Sequence, residues 1–253
     1  MKATLYKNID LVTIPIKAGV SEYYLPQNVS WAKCKVDKIV ICTPTSASCL
    51  SPVDGKTPVV QSKALQNMYV NIYTDEDKEL MYDAHSDVFV HTNNYPIYIH
   101  AALNLSLCRI YFTAEPTADG CLLLYVFYDS KTTETYTPPT QSITVSFPLA
   151  GDEKLTLQNI INTYIHALPS TVRAITCWDA GENPAYLTLR DHALSYIVRD
   201  LHTELCRPQM VGETAETTQA FPFLTDNMDV DFDYSFIQNA TNKDNKQTIT
   251  FHF

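Results

Sequence analysis

The sequence predicts an all-β protein built from two copies of one β module. The chain has 16 Tyr and 10 Phe, residues that favour strands, while 14 Pro and only 6 Gly indicate rigid turns. Its 253 residues exceed the usual domain of about 100–150 residues, so two modules fit the length. A hydrophobic share of 45% supports a substantial buried core.

The chain repeats itself in order along its length. Residues 9–16 and 142–149 share an alternating pattern that ends in an apolar-Pro-apolar triplet. Further matches follow in the same order: 36–42 with 171–177, 69–72 with 186–189, 80–83 with 197–200, 95–97 with 221–223, and 121–127 with 247–253. We therefore predict a first module over 1–130, a Thr-rich linker over 131–140 that contains Pro138 and Pro139, and a second module over 141–253.

Each module contains eight predicted strands. The first is expected to have them at 9–16, 22–25, 36–41, 68–73, 80–83, 97–100, 105–112 and 122–128. The second is expected to have them at 143–149, 154–157, 172–178, 186–189, 197–201, 221–224, 230–237 and 249–253. Eight strands with long connections favour a jelly roll over an up-and-down barrel, so the prediction is two tandem eight-stranded jelly rolls.

Two finer expectations concern the second module. In its last strand, Ile249, Phe251 and Phe253 should face the core, while Thr250 and His252 point away. Between Thr156 and Pro169 the apolar residues recur at the helical period. Because the polar face of this segment lacks a Lys/Arg cluster, we predict a core-facing helix rather than one that lies on a membrane. The all-β fold then contains one or two short helices.

Charge and cysteine content narrow the class of protein. The formal net charge of −10 repels phosphate backbones, so no sequence-specific nucleic-acid partner is expected. Seven cysteines without a C-x-x-C pair are typical of reduced, buried thiols. No secretory signal pattern or membrane-spanning apolar run is present, so we expect a soluble protein synthesised in a cytoplasm.

No catalytic motif is found, and we predict that the protein is not an enzyme. Nucleophile elbows, phosphate-binding glycine loops and paired zinc histidines are all missing from the sequence. His85, His91 and His100 are the closest histidine group, and some jelly rolls bind metal through histidines on adjacent strands. Their spacing lacks an H-x-[HDE] pair, which favours ordinary turn or rim histidines. No catalytic, cofactor or metal residue is assigned.

A run of acidic residues is the sharpest charge feature. Alternation on a strand would place Asp229, Asp231 and Asp233 on one face, where three carboxylates could hold a structural Ca²⁺. A solvated strand face is the interpretation we favour. Residues 75–78 are likewise expected to form a solvated turn. No cofactor is expected, and the structural calcium is the one alternative considered.

These features resemble the double-jelly-roll major capsid proteins of icosahedral viruses. The residue pairs that carry the resemblance are Pro15 with Pro148, Cys42 with Cys177, Pro96 with Pro222, and Phe127 with Phe253. The resemblance covers nearly the whole chain and is one of architecture rather than of a signature motif. Family members often carry long insertions between strands, which this chain lacks.

The resemblance implies a virion protein that forms homotrimers, with lateral contacts between pseudo-hexagonal capsomers in an icosahedral shell. The short loops are similar to those of compact members from tail-less bacteriophages with an internal membrane. The chain has no long basic N-terminal arm, which is consistent with a lipid layer beneath the shell. Minor capsid or vertex proteins are further implied partners.

Two alternative functions stay open at the level of sequence. One is a virion accessory, a vertex or spike protein made of the same modules. The other is a two-module carbohydrate-binding protein in which Trp31, Trp178 and surface tyrosines serve as stacking platforms. A carbohydrate-binding protein should expose an aromatic cluster, whereas a shell protein should show flat lateral contact surfaces.

Overall fold

A computed structural model gives the fold. It describes residues 3–5, 8–90, 98–129, 131–133, 141–165, 172, 174–178, 183–206 and 230–253. The described residues form β-sheets with short helical segments, so the all-β class is confirmed. None of the described helices is long and apolar enough to cross a membrane.

Sixteen strands are present among the described residues. They are β1 Ala3–Leu5, β2 Asn8–Ile16, β3 Glu22–Tyr24, β4 Val36–Cys42, β5 Met68–Tyr73, β6 Glu79–His85, β7 Arg109–Phe112, β8 Gly120–Tyr128, β9 Lys131–Thr133, β10 Ser142–Leu149, β11 Lys154–Thr156, β12 Ala174–Trp178, β13 Ala185–Arg190, β14 Tyr196–His202, β15 Phe236–Asn239 and β16 Asn245–His252. Short 3-10 turns occupy Ser62–Leu65, Ser86–Phe89 and Thr203–Cys206.

The chain divides into two compact units. The first unit is residues 8–129, and the second unit is residues 130–253 together with residues 1–7. The start of the predicted linker, Lys131–Thr133, is strand β9 instead, and it pairs antiparallel with β1. Its threonines are β-branched and suit an extended backbone, which explains why this part of the linker forms a strand.

Both units have the same strand order. When the strands of each unit are counted from one to seven, starting at β2 and at β10, one sheet runs 1-7-3 in both units. That sheet is β2-β8-β4 in the first unit and β10-β16-β12 in the second. The other sheet runs 2-6-4-5, as β3-β7-β5-β6 and as β11-β15-β13-β14. The repeat seen in the sequence is therefore a repeat of topology.

The repeat extends to single hydrogen bonds in the hairpin of strands four and five. Asp83 and Asp200 occupy the same bulge with left-handed φ values of 49° and 48°. The backbone N–H of Asp83 donates to the Asn71 side chain at 2.8 Å, and that of Asp200 donates to the Thr188 hydroxyl at 3.0 Å. A side chain on strand four thus caps the bulge in both units.

A second repeated contact joins strand four to the residue just before strand six. The backbone N–H of Tyr73 lies 3.3 Å from the Cys108 sulfur, and that of Arg190 lies 3.0 Å from the Ser235 hydroxyl. Both the thiol and the hydroxyl also donate back to the carbonyl of the same partner, each at 3.5 Å. The two units therefore share backbone geometry at positions where their side chains differ.

The register of the strands corrects two of the sequence matches by one residue. Pro15 pairs with Cys121 in the first unit, and Pro148 pairs with Lys246 in the second. If the prolines are equivalent, residue 121 corresponds to residue 246, so Phe127 matches His252 rather than Phe253. The match of Cys42 with Cys177 shifts in the same way, because Ile41 and Cys177 face the equivalent residues Leu124 and Ile249.

Seven of the eight predicted strands are found in each unit, and the sixth is missing from the described residues of the first unit and untested in the second. In the first unit Ile97 lies outside the described residues, and Tyr98 to His100 form no strand because His100 has a left-handed φ of 52°. Ile99 and Ala101 nevertheless exchange backbone hydrogen bonds with β4. The predicted strand at 221–224 lies outside the described residues.

Two predicted strands begin later than expected, for one physical reason. The Asn104 side chain accepts from the backbone N–H of Ser106 at 3.1 Å and closes a turn, so β7 begins only at Arg109. The Asp231 side chain accepts from the backbone N–H of Asp233 at 3.0 Å, so β15 begins only at Phe236. Asn and Asp side chains stabilise such turns against strand formation.

The predicted helix is present in its described part. It covers Leu157–Ile160 and continues as a π-helical turn, Ile161–Ile165, while residues 166–168 lie outside the described residues. Thr156 caps it by accepting from the backbone N–H of Asn159 at 3.2 Å. Leu157 and Ile160 are fully buried, which confirms a core-facing helix, although Tyr164 is 40% exposed.

Burial confirms the orientation predicted for the last strand. Ile249 and Phe251 are fully buried and Phe253 is 9% exposed, whereas Thr250 and His252 are only partly covered. The interior of the first unit is formed by inward side chains of both of its sheets, and Trp31 is among them at 1% exposure.

Candidate functional site

The acidic run does not form the strand face that alternation suggested. Asp229 lies outside the described residues, and Asp231 and Asp233 belong to the turn before β15. One oxygen of the Asp231 carboxylate accepts backbone N–H groups of its own turn, and the other lies 3.1 Å from Nδ1 of His192. Asp231 is therefore a turn-forming residue. The described residues contain no group of three metal-binding side chains.

The histidines that suggested a metal site have separate roles. The His85 ring lies 2.9 Å from the Gln66 carbonyl oxygen and accepts from the backbone N–H of Asp87 at 3.2 Å. The His100 ring stacks on Tyr98 and lies 3.2 Å from the Asp37 carboxylate. His91 lies outside the described residues. His85 thus belongs to a local turn, whereas His100 belongs to a contact between segments far apart in sequence.

The cysteines and the acidic hairpin also have structural roles. None of the seven cysteines forms a disulfide, and all except Cys34 are buried, as predicted. Residues 75–78 form the turn between β5 and β6, with a left-handed φ of 60° at Asp77. The Asp77 carboxylate accepts from the Asn104 side chain at 2.6 Å.

A cavity of about 310 Å³ lies in the second unit, beside the helix. Glu153, Asp244 and Tyr164 are among its lining residues. Both carboxylates cap the β10–β11 turn: Glu153 accepts from the backbone N–H of Ala150 at 2.7 Å, and Asp244 accepts from that of Gly151 at 3.0 Å. The cavity therefore contains turn-forming acids rather than a nucleophile and a base.

The exposed aromatic rings are not the tryptophans that the sequence suggested as stacking platforms. Trp31 is buried, so it offers no surface for stacking, and nothing is described of the Trp178 side chain. The outward side of the sheet β3-β7-β5-β6 instead carries tyrosines and carboxylates. We call it the acidic face, and its residues are Glu22, Tyr24, Tyr69, Tyr73, Glu79, Tyr82, Asp83, Arg109 and Tyr111.

Contacts within the acidic face hold its rings in place. Tyr69 and Tyr111 stack with centroids 5.6 Å apart, and the Arg109 guanidinium lies 5.4 Å from the Tyr111 ring. Arg109 also donates to Glu22 at 2.9 Å. Tyr24 and Tyr82 are the most exposed rings of the face, at 54% and 63%.

On the acidic face, tyrosine hydroxyls donate hydrogen bonds to neighbouring carboxylates. A hydrogen bond to Asp83, with a smaller effect of burial, raises the pKa of Tyr111 to about 12. Burial and the nearby Glu79 raise the pKa of Tyr73, whose hydroxyl donates to that carboxylate at 3.3 Å. These hydroxyls therefore stay protonated near neutral pH and act as donors.

The equivalent sheet side of the second unit is basic. We call six residues of this side the basic face, namely Lys154, Arg190, Tyr196, Arg199, Asp200 and Phe236. Tyr186, Thr188 and His202 lie on the same side of the sheet but are buried, so they are not part of the face. The Lys154 ammonium lies 3.3 Å from the centroid of Phe236, and burial together with the nearby Arg190 lowers its pKa. Both arginines lie over Tyr196, at 4.1 Å and 5.3 Å from the ring centroid.

The two faces carry opposite net charges, and one matched pair of residues reverses in sign. Strand register makes Glu22 equivalent to Lys154, and the repeat spacing of 117 residues makes Tyr82 equivalent to Arg199. The acidic face has three carboxylates and one guanidinium, a net charge of −2. The basic face has three cations and one carboxylate, a net charge of +2. Sequence analysis missed these faces, although the alternation Tyr69-Val70-Asn71-Ile72-Tyr73 pointed to outward tyrosines.

Comparisons with known proteins add little to this description. No protein-family model matches the chain, and no curated protein sequence matches it. A solved structure from work on the atomic structure of Sulfolobus Turreted Icosahedral Virus aligns over 96% of this chain and 90% of its own. The identity is 10% and the TM-score 0.23, so function has to be argued from the chain itself.

Proposed function

We propose that the protein is a viral structural protein, the major capsid protein of an icosahedral shell, with both units folded as jelly rolls. The observation that carries the proposal is the shared strand order. A jelly roll is a long hairpin of eight strands rolled up, with pairs 1·8, 2·7, 3·6 and 4·5. If strand six is left out and the rest are renumbered, its sheets run 1-7-3 and 2-6-4-5, as both units do.

Backbone contacts at the edge of the first unit support an eighth strand. In a rolled hairpin the missing strand would lie beside strand three, which is β4. The backbone N–H of Ile99 donates to the Asp37 carbonyl at 2.7 Å, and that of Val36 donates to the Ala101 carbonyl at 2.9 Å. The segment predicted as the sixth strand therefore contacts the expected edge.

A duplicated module explains how one chain could build a shell. Three copies of a chain with two similar units can present six similar walls, which is the pseudo-hexagonal capsomer. Lateral contacts of about 800 Å² per partner would then add up over the shell although each pair is weak. We propose localisation in the virion, with minor capsid or vertex proteins as further partners and no enzymatic activity or cofactor.

A finer part of the proposal concerns the kind of virus. Turns of four or five residues join β5 to β6, β10 to β11 and β13 to β14, which suits a tail-less bacteriophage shell over an internal membrane, although 25 residues separate β4 from β5. The net charge of −10 argues against direct packing on nucleic acid. Flotation of purified protein with neutral and anionic vesicles tests the membrane part.

Light scattering and negative-stain microscopy of the purified chain test the shell proposal. We expect a mass of three chains at micromolar concentration, and six-sided particles or shells on the grid. A monomer at every protein and salt concentration, combined with the absence of particles, would overturn the proposal.

Carbohydrate binding is the second candidate function, and the exposed rings of Tyr24 and Tyr82 favour it. Exposed rings on a rigid sheet can stack against the apolar faces of sugars. The carboxylates around them favour a neutral glycan over an anionic one. A glycan array tests this candidate, and replacement of both tyrosines by alanine should abolish any signal. A wild-type chain that binds no glycan on the array would exclude it.

A further inference from the structure

We propose that copies of this chain associate by docking the acidic face of one copy on the basic face of another. The two faces lie at equivalent positions of corresponding sheets, the acidic face in the first unit and the basic face in the second. Their net charges of −2 and +2 are complementary. This inference rests on the self-association that the proposed function requires, and it names the surfaces.

The difference in net charge comes from one reversal of sign and two exchanges of a neutral tyrosine for an arginine at matched positions. Glu22 in the first unit is replaced by Lys154 in the second. Tyr73 is replaced by Arg190, and Tyr82 by Arg199, at the same spacing of 117 residues. Two acidic faces, or two basic faces, from different copies repel each other, whereas an acidic and a basic face attract. The charges therefore select the acidic–basic pairing and reject the other two.

The side chains of both faces are suited to a protein interface. Tyr and Arg are the residues that most often dominate binding energy when they are buried between partners. Arg190 and Arg199 already lie over the Tyr196 ring, and Arg109 lies over Tyr111, so guanidinium–ring contacts are common to both faces. Tyr24 and Tyr82 offer exposed rings to the cations of the basic face.

Key residues of both faces are accessible in the single chain. The Arg199 side chain is 55% exposed, Tyr196 is 46% exposed and Lys154 is exposed. Tyr82 at 63% and Glu79 are exposed on the acidic face. Because the contact joins two different surfaces, it is head-to-tail, and copies can add until a ring closes.

Two charge-reversal variants test the pairing. The first carries Glu22→Lys with Glu79→Lys, which makes the acidic face basic. The second carries Lys154→Glu with Arg199→Glu, which makes the basic face acidic. We expect each variant alone to lose self-association by at least about tenfold in sedimentation velocity. Far-ultraviolet circular dichroism should match wild type.

Mixing the two variants is the decisive step. Each contact between the two variants joins opposite charges again, so the 1:1 mixture should regain self-association with the variants alternating. A closed ring of three copies would keep one like-charge contact, so we expect dimers, open chains or even-numbered rings from the mixture. High salt should weaken the assembly of both the wild type and the mixture, because it screens exposed charges. Lys243→Glu with Lys246→Glu is the matched control, since it makes the same change in net charge at exposed positions outside the basic face.

The outcomes separate this inference from the proposed function. If wild type assembles and the two reversal variants assemble equally well, the docking surfaces are wrong and the capsid proposal stands. If each variant alone is monomeric and the mixture also stays monomeric, the pairing of the two faces is overturned. If wild type is monomeric throughout, both proposals fail.

Discussion

Strands β8 and β16 occupy the same place in the two units yet differ in sequence pattern. In β8 the first eight residues are buried, including outward-facing Leu123 and Tyr125, which are fully covered. In β16 buried and partly exposed residues alternate. The outward side of β16 carries hydroxyls: Thr248 lies 2.7 Å from Ser146, and Thr250 lies 2.9 Å from Thr144.

The difference shows that the shared topology depends on the inward side chains and tolerates either polar or apolar outward ones. Inward positions are apolar in both strands except at the buried Gln247 of β16, with Leu124 and Val126 in β8 and Ile249 and Phe251 in β16. Outward positions are apolar in one and polar in the other. A strand covered on both faces has a continuous hydrophobic sequence, whereas a strand covered on one face alternates. The strand order therefore depends on the inward set.

The largest expected effect comes from the outward positions of the two strands. Leu123 and Thr248 are equivalent by register. Leu123→Ala should destabilise the protein by about 2–5 kcal/mol, because it leaves a cavity at a fully buried site. Thr248→Ala should cost less than about 1.5 kcal/mol, since it removes one partly exposed hydrogen bond.

Urea unfolding, followed by circular dichroism, measures both variants. Leu123→Met is a control of similar volume and should cost less than about 1.5 kcal/mol. Equal destabilisation by the two alanine variants would show that the outward sides of β8 and β16 are equivalent after all.

The same contrast explains how much of the fold could be predicted from the sequence. Strand positions along the chain were predicted well because inward residues alternate with polar ones in β10 and β16. The register of β8 was predicted one residue out, because an apolar run from Cys121 to Phe127 has no alternation to fix it. The late starts of β7 and β15 were missed because Asn and Asp turns interrupt apolar segments.

The charged faces were harder to predict than the strands. Glu22 and Lys154 lie in three-residue strands with little pattern of their own. Their equivalence appears only when the register with strand six is known. The residues considered as a site from sequence, Asp231 and His85, proved to stabilise turns, because local hydrogen bonds to backbone N–H groups occupy them.

The next expected effect is on how stability depends on pH. The titrating group is different in each unit: it is His252 in the second unit and Lys38, beside the matched residue Phe127, in the first. Burial lowers the pKa of His252, which lies 2.9 Å from the Thr176 hydroxyl. Across the strand from Phe127, burial lowers the pKa of Lys38 to about 8, and its ammonium lies 4.5 Å from the Phe127 ring.

Both groups bind a proton more readily in the unfolded chain, so both make stability rise with pH. For His252 the loss should begin as pH falls below its ordinary value of 6.5. For Lys38 stability should rise between about pH 8 and 10.5, by up to about 3 kcal/mol. Unfolding free energies at several pH values should show His252→Gln removing the first slope and Lys38→Met the second. A variant that left its own slope unchanged would contradict the assignment.

The smallest expected effect lies in the turn between strands four and five. Asp77 and Leu194 occupy the same position with left-handed φ values of 60° and 62°. That left-handed conformation raises the free energy of a leucine by about 1–2 kcal/mol, whereas aspartate tolerates it better. The Leu194 side chain is 44% exposed, so little packing offsets the strain. Leu194→Gly should therefore stabilise the protein by up to about 1 kcal/mol, while Asp77→Gly should give no gain because it loses the bond from Asn104. Thermal unfolding of the two variants side by side measures this difference, and an equal gain in both would mean that the strain does not depend on the residue.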